Sequence, residues 1–246
     1  MKVKIYYFSG TGNTKKILEK VRKVFENQDV DTKLTLITDK TKVDIEEDSI
    51  MGLMFPVNAN ATSPFIWRFI KGLPKTKGQP IFVIYTFNDS AAIGNPVINS
   101  LKKKGYRVIG IKGIQMPNHL VSDIQQVKDN EKRFYKGMLE AENFANDLVK
   151  GKEIIDYQNS GSTLLSFLTR NTGIPWFLMR LGFKVITDHS RCEGCKMCIK
   201  DCPVQNIEMK NNRVTHKFKC DFCMKCMANC PNKAKLIKGN KKIKIV

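Results

Sequence analysis

The sequence predicts an α/β protein with a doubly wound parallel sheet, followed by a small α+β domain. Two observations support this prediction. Strand-like and helix-like stretches alternate through the first 150 residues, and all eight cysteines lie between residues 192 and 230. Such alternation is typical of a parallel sheet that is covered by helices on both faces. The 246 residues are enough for one large domain or two modest ones.

Five apolar stretches predict strands near residues 2–8, 32–37, 49–55, 80–87 and 107–114. Helical patterns lie near residues 13–26, 63–72, 92–104 and 125–150, with a short helical segment at 164–181. Glycine and proline residues fall at or near the ends of these elements. We therefore predict a first domain over residues 1–152, a linker and short helical segment over 153–183, and a second domain over 184–246.

The formal net charge of +19 is distributed over both ends of the chain. Residues 1–152 hold 25 Lys and Arg against 16 Asp and Glu, and residues 185–246 hold 14 against 5. No nucleic-acid motif accompanies this charge, so solvated surface or docking to an acidic redox partner is the preferred interpretation. The sequence lacks a secretory signal and any uninterrupted apolar stretch of about 20 residues. We expect a cytoplasmic protein without a membrane span.

The cysteines form two runs with the same spacing, each ending in Cys-Pro. The runs are Cys192-x2-Cys195-x2-Cys198-x3-Cys202 and Cys220-x2-Cys223-x2-Cys226-x3-Cys230. Paired zinc sites do not need a third evenly spaced cysteine in each run, and disulfides are disfavoured in a cytosolic protein. The spacing resembles that of the bacterial two-cluster ferredoxins, which carry two 4Fe-4S clusters.

This resemblance implies crossed ligation, in which the fourth cysteine of each run reaches the other cluster. One cluster would then be held by a first thiol set, and the other by a second thiol set. The first set is Cys192, Cys195, Cys198 and Cys230, and the second set is Cys202, Cys220, Cys223 and Cys226. The residues that follow each Cys-Pro are also similar, as in an internal repeat.

The loop after the first strand combines glycines with hydroxyl and amide side chains. It reads Ser9-Gly10-Thr11-Gly12-Asn13-Thr14 and leads into a helix, whose N-terminus attracts a phosphate group. The loop is neither a Walker A motif nor a dinucleotide fingerprint. A plain turn in which Asn13 and Thr14 cap the helix is the alternative. The pattern resembles the flavodoxin family, whose members bind the phosphate of FMN at this loop.

The flavodoxin resemblance covers residues 1–150 and implies the strand order 2-1-3-4-5, with FMN at the carboxyl ends of the strands. Further FMN contacts would come from the loops after strands three and four. These candidates are Pro56, Asn58, Ala59 and Asn60, and then Thr86, Phe87 and Asn88. Flavodoxins typically stack aromatic residues on the flavin here, whereas residues 58–62 are small and polar. One flavin face is therefore expected to lack aromatic cover from the first domain.

The whole chain resembles the flavodoxin/ferredoxin fusion proteins of anaerobic bacteria and archaea. That resemblance implies an electron-transfer protein that passes electrons between FMN, two 4Fe-4S clusters and a low-potential partner. The alternative is an FMN-dependent reductase of a small organic substrate, fed by its own clusters. No catalytic acid, base or nucleophile is recognisable. His119 follows strand five and could lie near the flavin, although surface or capping use is the preferred interpretation.

The two functions predict different arrangements of the domains. In an electron-transfer protein the second domain should fold back over the flavin, with the cluster of the first thiol set or its neighbour facing it. In a reductase, a cavity of about 300 Å³ or more should remain over the flavin for a substrate. We expect the packed arrangement.

Overall fold

The computed structural model describes residues 1–46, 48–57, 62–121, 125–157, 163–238 and 244–245. The strands within these residues are β1 (Lys2–Tyr7), β2 (Asp31–Leu36), β3 (Ser49–Pro56), β4 (Pro80–Phe87), β5 (Arg107–Gln115), β6 (Leu120–Val121), β7 (Ile154–Asp156), β8 (Val185–Thr187), β9 (Ile207–Lys210), β10 (Arg213–His216), β11 (Lys235–Ile237) and β12 (Lys244–Ile245). The helices are α1 (Asn13–Glu26), α2 (Pro64–Gly72), α3 (Gly94–Lys102), α4 (Gln125–Val149), α5 (Thr163–Asn171), α6 (Ile174–Gly182), α7 (Met197–Asp201) and α8 (Lys225–Ala228).

The first domain is built on one parallel sheet in the order β2-β1-β3-β4-β5-β7. Its first five strands have the predicted order 2-1-3-4-5, so the doubly wound fold class is confirmed. The chain leaves β1 toward β2 and then returns to the other side of β1 to form β3. The strand order reverses between β1 and β3, and ligands bind at the carboxyl ends of strands beside such a switch point.

The sheet has six strands among the described residues, whereas the sequence predicted five. The additional strand β7 pairs in parallel with β5, with Ile154 opposite Gly110 and Asp156 opposite Lys112. Three half-exposed residues at a sheet edge are too few to display an alternating pattern, which is why this strand was missed. It lies within the segment 153–183 that we assigned to the linker and helical region, so the sheet continues past residue 152.

Helices cover both faces of this sheet, as the strands' apolar character requires. On one face α2 and α3 pack over Phe55, Tyr85 and neighbouring residues. On the other face α1 and α4 pack over a second cluster that includes Ile5 and Phe82. No helix in the described part of the chain is long and apolar enough to cross a membrane.

The helical segment between the domains is two helices instead of the single segment predicted at 164–181. Helix α5 ends at Asn171, and α6 begins at Ile174 with Pro175 in its first turn. Proline fits the first turn of a helix but interrupts a helix interior, so Pro175 starts a new helix.

The second domain repeats its backbone conformation at an interval of 28 residues. Three pairs of residues, 28 positions apart, have positive φ: Gly194 (71°) and Phe222 (51°), Lys196 (62°) and Met224 (59°), Gln205 (51°) and Lys233 (49°). The two antiparallel pairs β9–β10 and β8–β11 complete this domain. The internal repeat seen in the sequence is thus present in the backbone.

Asp221 connects the two domains through a buried carboxylate that is only 3% exposed. Its Oδ2 accepts hydrogen bonds from the backbone N–H of Phe65 (3.0 Å) and from Arg68 (3.3 Å). Its Oδ1 accepts one from Arg180 (2.9 Å). Phe65 lies in the first turn of α2, where backbone N–H groups lack helical partners, and the side chain of Ser63 does not cap this helix. A residue of the second domain therefore caps a helix of the first domain.

The two arginines offset part of the free-energy cost of burying this carboxylate. Burial raises the pKa of Asp221, and the positive charges of Arg68 and Arg180 oppose that rise. Arg180 also donates from Nε to the carbonyl oxygen of Cys220 at 2.9 Å. The interface extends to Asp39, whose backbone N–H donates to the carbonyl oxygen of Pro203 at 3.0 Å.

We predict that Arg180→Met lowers the stability of the domain contact by about 2 kcal/mol, because hydrogen bonds to charged groups contribute about 1.5–3 kcal/mol each. Anaerobic urea unfolding of the iron-loaded protein measures this effect. The control is Arg22→Met, which removes an exposed ion pair with Glu26 one helical turn away and should cost less than about 0.5 kcal/mol. Equal effects of the two substitutions would show that the hydrogen bonds of Arg180 do not stabilise the contact between the domains.

Candidate functional site: a cavity between the two domains

The predicted phosphate loop, residues 9–14, joins the carboxyl end of β1 to α1. Gly12 adopts φ 111°, a conformation that side-chain-bearing residues rarely adopt. The hydroxyl oxygen of Ser9 accepts a hydrogen bond from the backbone N–H of Lys15 at 3.2 Å. The Thr14 hydroxyl lies 2.8 Å from that of Thr86 at the end of β4, and both side chains are buried. Two predicted flavin-binding segments are therefore tied together.

A cavity of about 440 Å³ opens at this edge of the sheet, beside the switch point. Nine of the predicted cofactor residues line it: Ser9, Gly10, Thr11, Asn13, Thr14, Pro56, Thr86, Phe87 and Asn88. Gly12 forms the turn of the loop and is not part of the lining. Asn58, Ala59 and Asn60 lie outside the described residues. The structure thus brings residues of three separate loops to one cavity.

Two polar atoms of the cavity wall are buried without a hydrogen-bond partner, namely Asn13 Oδ1 and His119 Nδ1. Buried polar atoms are rarely left unpaired, so both fit a polar ligand in the cavity. Burial lowers the pKa of His119, the charge of Lys16 lowers it further, and a hydrogen bond with the Thr11 backbone opposes this. His119 is partly buried and lies in the cavity wall, the position near the flavin that was the less preferred interpretation from sequence.

The second domain and α6 supply one wall of this cavity, which we call the upper wall. It consists of Trp176, Met179, Phe222, Cys223 and Met224. Trp176 is 4% exposed and donates from Nε1 to the carbonyl oxygen of Thr169 at 2.8 Å. Trp176 and Phe222 thus add aromatic side chains to a cavity to which the described residues of the first domain contribute Phe87.

Phe222 reaches the cavity from a backbone conformation that bulky side chains rarely adopt, with φ 51°. The equivalent position in the first cysteine run is Gly194, which tolerates a positive φ without strain. Sequence reasoning missed Trp176 and Phe222. The replacement of a glycine by an aromatic residue between the two runs was the available signal for Phe222.

The domains also meet at Gly10. A Cβ atom added to this glycine would lie 2.0 Å from the backbone carbonyl oxygen of Cys223. Only a residue without a side chain allows this approach. The second cysteine run therefore lies directly against the predicted phosphate loop, which is the packed arrangement expected from sequence.

Cysteines from both runs lie close together in the second domain. Cys192, Cys195, Cys198 and Cys230, the first thiol set, line one small cavity. Cys202 of the first run interacts electrostatically with the other three members of the second thiol set. The fourth cysteine of each run accepts a hydrogen bond from the backbone N–H four residues later. Asn206 N donates to Cys202 Sγ and Ala234 N donates to Cys230 Sγ, both at 3.2 Å. The assignment of ligands to individual clusters stays a prediction.

The four cysteines of the second set are partly buried. Burial raises the pKa of Cys220 to about 11 and that of Cys226 to about 12. Because thiols bind metal as thiolates, a bound metal would stabilise their deprotonated form. Among the described residues no group of three or more His, Cys, Asp or Glu side chains could hold a metal ion. A 4Fe-4S cubane is larger than a single ion and fits a wider spacing of its ligands.

Residues 184–241 match a protein family described as a 4Fe-4S dicluster domain. No curated protein gives a significant match to the chain. The solved structures similar to it include a flavodoxin from the domain Archaea (14% identity, 61% of this chain and 99% of that chain, TM-score 0.42). Another is oxidised flavodoxin 2 from Bacillus cereus (16% identity, 61% and 99%, TM-score 0.44). A third is rubredoxin oxygen:oxidoreductase from the anaerobe Desulfovibrio gigas (16% identity, 58% and 36%, TM-score 0.36).

The strand order and the family match together define the class of protein. The first domain is a flavodoxin-like doubly wound α/β domain, as its strand order shows. The second is an iron–sulfur domain of the 4Fe-4S dicluster type. The chain therefore has the domain combination of the flavodoxin/ferredoxin fusion proteins, as the sequence predicted.

We predict that Gly10→Ala weakens FMN binding at least tenfold, because the new methyl group must push the phosphate loop and Cys223 apart. Fluorescence titration of the iron-loaded protein with FMN measures the affinity. The control is Gly72→Ala, at a position where an added Cβ meets no atom within 4 Å. Equal FMN affinity in the two variants would show that the contact between Gly10 and Cys223 is not needed for binding.

Proposed function

We propose that this chain is an electron-transfer protein with FMN in the cavity between its domains and two 4Fe-4S clusters on its eight cysteines. FMN exchanges one or two electrons and each cluster exchanges one, so the three groups together join pairwise and single-electron chemistry. The observation that carries the proposal is the contact of Cys223, a proposed cluster ligand, with Gly10 of the phosphate loop.

The protein's own residues would bind and shield the flavin. The N-terminus of α1 and the backbone N–H groups of residues 9–14 would hold the phosphate. Trp176 and Phe222 would cover the ring and exclude water from it. A cavity of 440 Å³ is near the lower end of the range for small-molecule sites, about 300–1,000 Å³. This size fits a single ligand, and it favours FMN over a larger dinucleotide.

The reductase alternative would need space for a substrate beside the flavin. The 440 Å³ cavity contains the predicted phosphate loop at one end and the aromatic cover above, so the flavin itself would occupy it. This arrangement supports electron transfer over reduction of a small organic substrate.

An acidic redox protein is the proposed external partner. Cys195 is the exposed cysteine of the eight, so electrons would leave or enter at the first thiol set. Arg191, Lys196 and Lys200 are exposed in the same segment of the chain, with the apolar side chain of Met197 and one exposed acidic residue, Glu193. A basic rim around an apolar contact fits an acidic protein and speeds its encounter.

We predict that electrons given to FMN reach the clusters within one molecule. Flash photoreduction of the flavin in FMN- and iron-loaded protein should be followed by bleaching of the cluster absorbance, at a rate independent of protein concentration. Gly10→Ala should slow this phase, because it separates the phosphate loop from Cys223. Gly72→Ala serves again as the control.

A bleaching rate that rises in proportion to protein concentration would contradict intramolecular transfer. Clusters that stay oxidised while a small metabolite binds over the flavin would favour the reductase instead.

A further inference from the structure

Lys235 is a buried lysine in the iron–sulfur domain, with 4% of its surface exposed. It begins β11, which pairs with β8 at Thr187. Its ammonium group donates a hydrogen bond to Thr187 Oγ1 at 2.6 Å and lies 3.3 Å from His216 Nε2. In the described part of the chain no carboxylate forms an ion pair with it. A buried charge is costly without an opposite charge, so Lys235 needs a counter-ion of another kind.

Lys235 faces the thiols of the first set. It lines the small cavity together with the four cysteines of that set. The second set approaches the phosphate loop through Cys223, which lines a different cavity. Lys235 therefore lies beside the first thiol set.

His216 does not share the role of cation. Burial lowers the pKa of His216 to about 4, and the charges of Lys235 and His189 contribute to this shift. At neutral pH the imidazole is therefore uncharged. Its Nε2 can then accept a hydrogen bond from the Thr187 hydroxyl group, which lies 2.9 Å away. Thr187 and His216 thus orient the ammonium group without adding charge.

The internal repeat has no second positively charged residue at the position equivalent to Lys235. The residue 28 positions earlier, at the equivalent point of the first half, is the buried Ile207. The positive charge is therefore an asymmetric feature of a domain whose backbone is nearly repeated. An asymmetric charge affects two otherwise similar clusters unequally.

We propose that Lys235 is an internal counter-ion of the cluster on the first thiol set and raises the reduction potential of that cluster more than that of the other. This inference rests on the proposed binding of two clusters. Each electron gained makes a cluster more negative, and a fixed positive charge in a low-dielectric interior stabilises that state. The second thiol set contacts the flavin loop through Cys223, so the first set is farther from the flavin. Lys235 would then favour the electron on the cluster beside the exposed Cys195.

The test is a redox titration of iron-loaded protein, followed by electron paramagnetic resonance. Wild-type protein is analysed first for eight iron atoms and eight sulfides per chain; a lower content contradicts the proposed function itself, not the role of Lys235. Cys195→Ser identifies the signal of the first-set cluster. Lys235→Met should lower both midpoint potentials, the first-set potential more, and Lys235→Arg should keep most of the wild-type values.

The matched control is Lys238→Met, which removes an equal charge from an exposed position three residues away, where solvent and salt screen it. The Lys235→Met shift should be several times the Lys238→Met shift. Equal shifts in these two variants, or a larger shift at the second-set cluster, would overturn the proposal.

Cluster assembly gives a second measure if Lys235→Met does not load iron. Lys235→Gln keeps a hydrogen-bond donor without the charge. Loss of the clusters from the Met and Gln variants, with retention in Lys235→Arg, would support the counter-ion role. Loss of the clusters from all three variants would indicate a packing role for Lys235 and reject the counter-ion role.

Discussion

The close approach of Cys223 to Gly10 is the contact on which the other features of the site depend. It requires a glycine in the phosphate loop, and it is held in place by Asp221 two residues earlier in the chain. Compared with a well-packed apolar contact, a buried carboxylate with two arginines and a helix N-terminus adds little net stability, because desolvation offsets much of the attraction; removing one arginine is costly because the carboxylate stays buried. What it specifies is geometry, since only one docking of the domains satisfies all three partners.

That docking converts an open edge of a flavodoxin-like sheet into a partly covered cavity. The first domain provides the phosphate loop and the polar wall, including the unpaired atoms of Asn13 and His119. The iron–sulfur domain and α6 provide Phe222 and Trp176. In our account neither domain alone has a complete flavin site. In this account binding of the flavin and docking of the domains would be coupled, and the ring of Phe222, which comes from a strained backbone position, would complete the site.

The sequence predicted those parts of the molecule that depend on local pattern. The alternation of strands and helices, the phosphate loop and the cysteine-rich domain follow from periodicity or from short motifs, and the strand order followed from the resemblance to the flavodoxin family. The sequence did not predict β7, which is too short to show a pattern, or the cavity position of His119. Asp221 was missed because its partners are Phe65 and Arg68, more than 150 residues away in the chain. Its capping role exists only once two independently patterned domains meet.

Hydrogen–deuterium exchange with and without FMN tests the central claim, a flavin site shared by the two domains, most directly. Our account predicts that FMN slows exchange in residues 9–14 of the first domain and also in residues 176–180 and 220–224, which form the upper wall of the cavity. Protection confined to the first domain, with unchanged exchange at 176–180 and 220–224, would contradict a shared site.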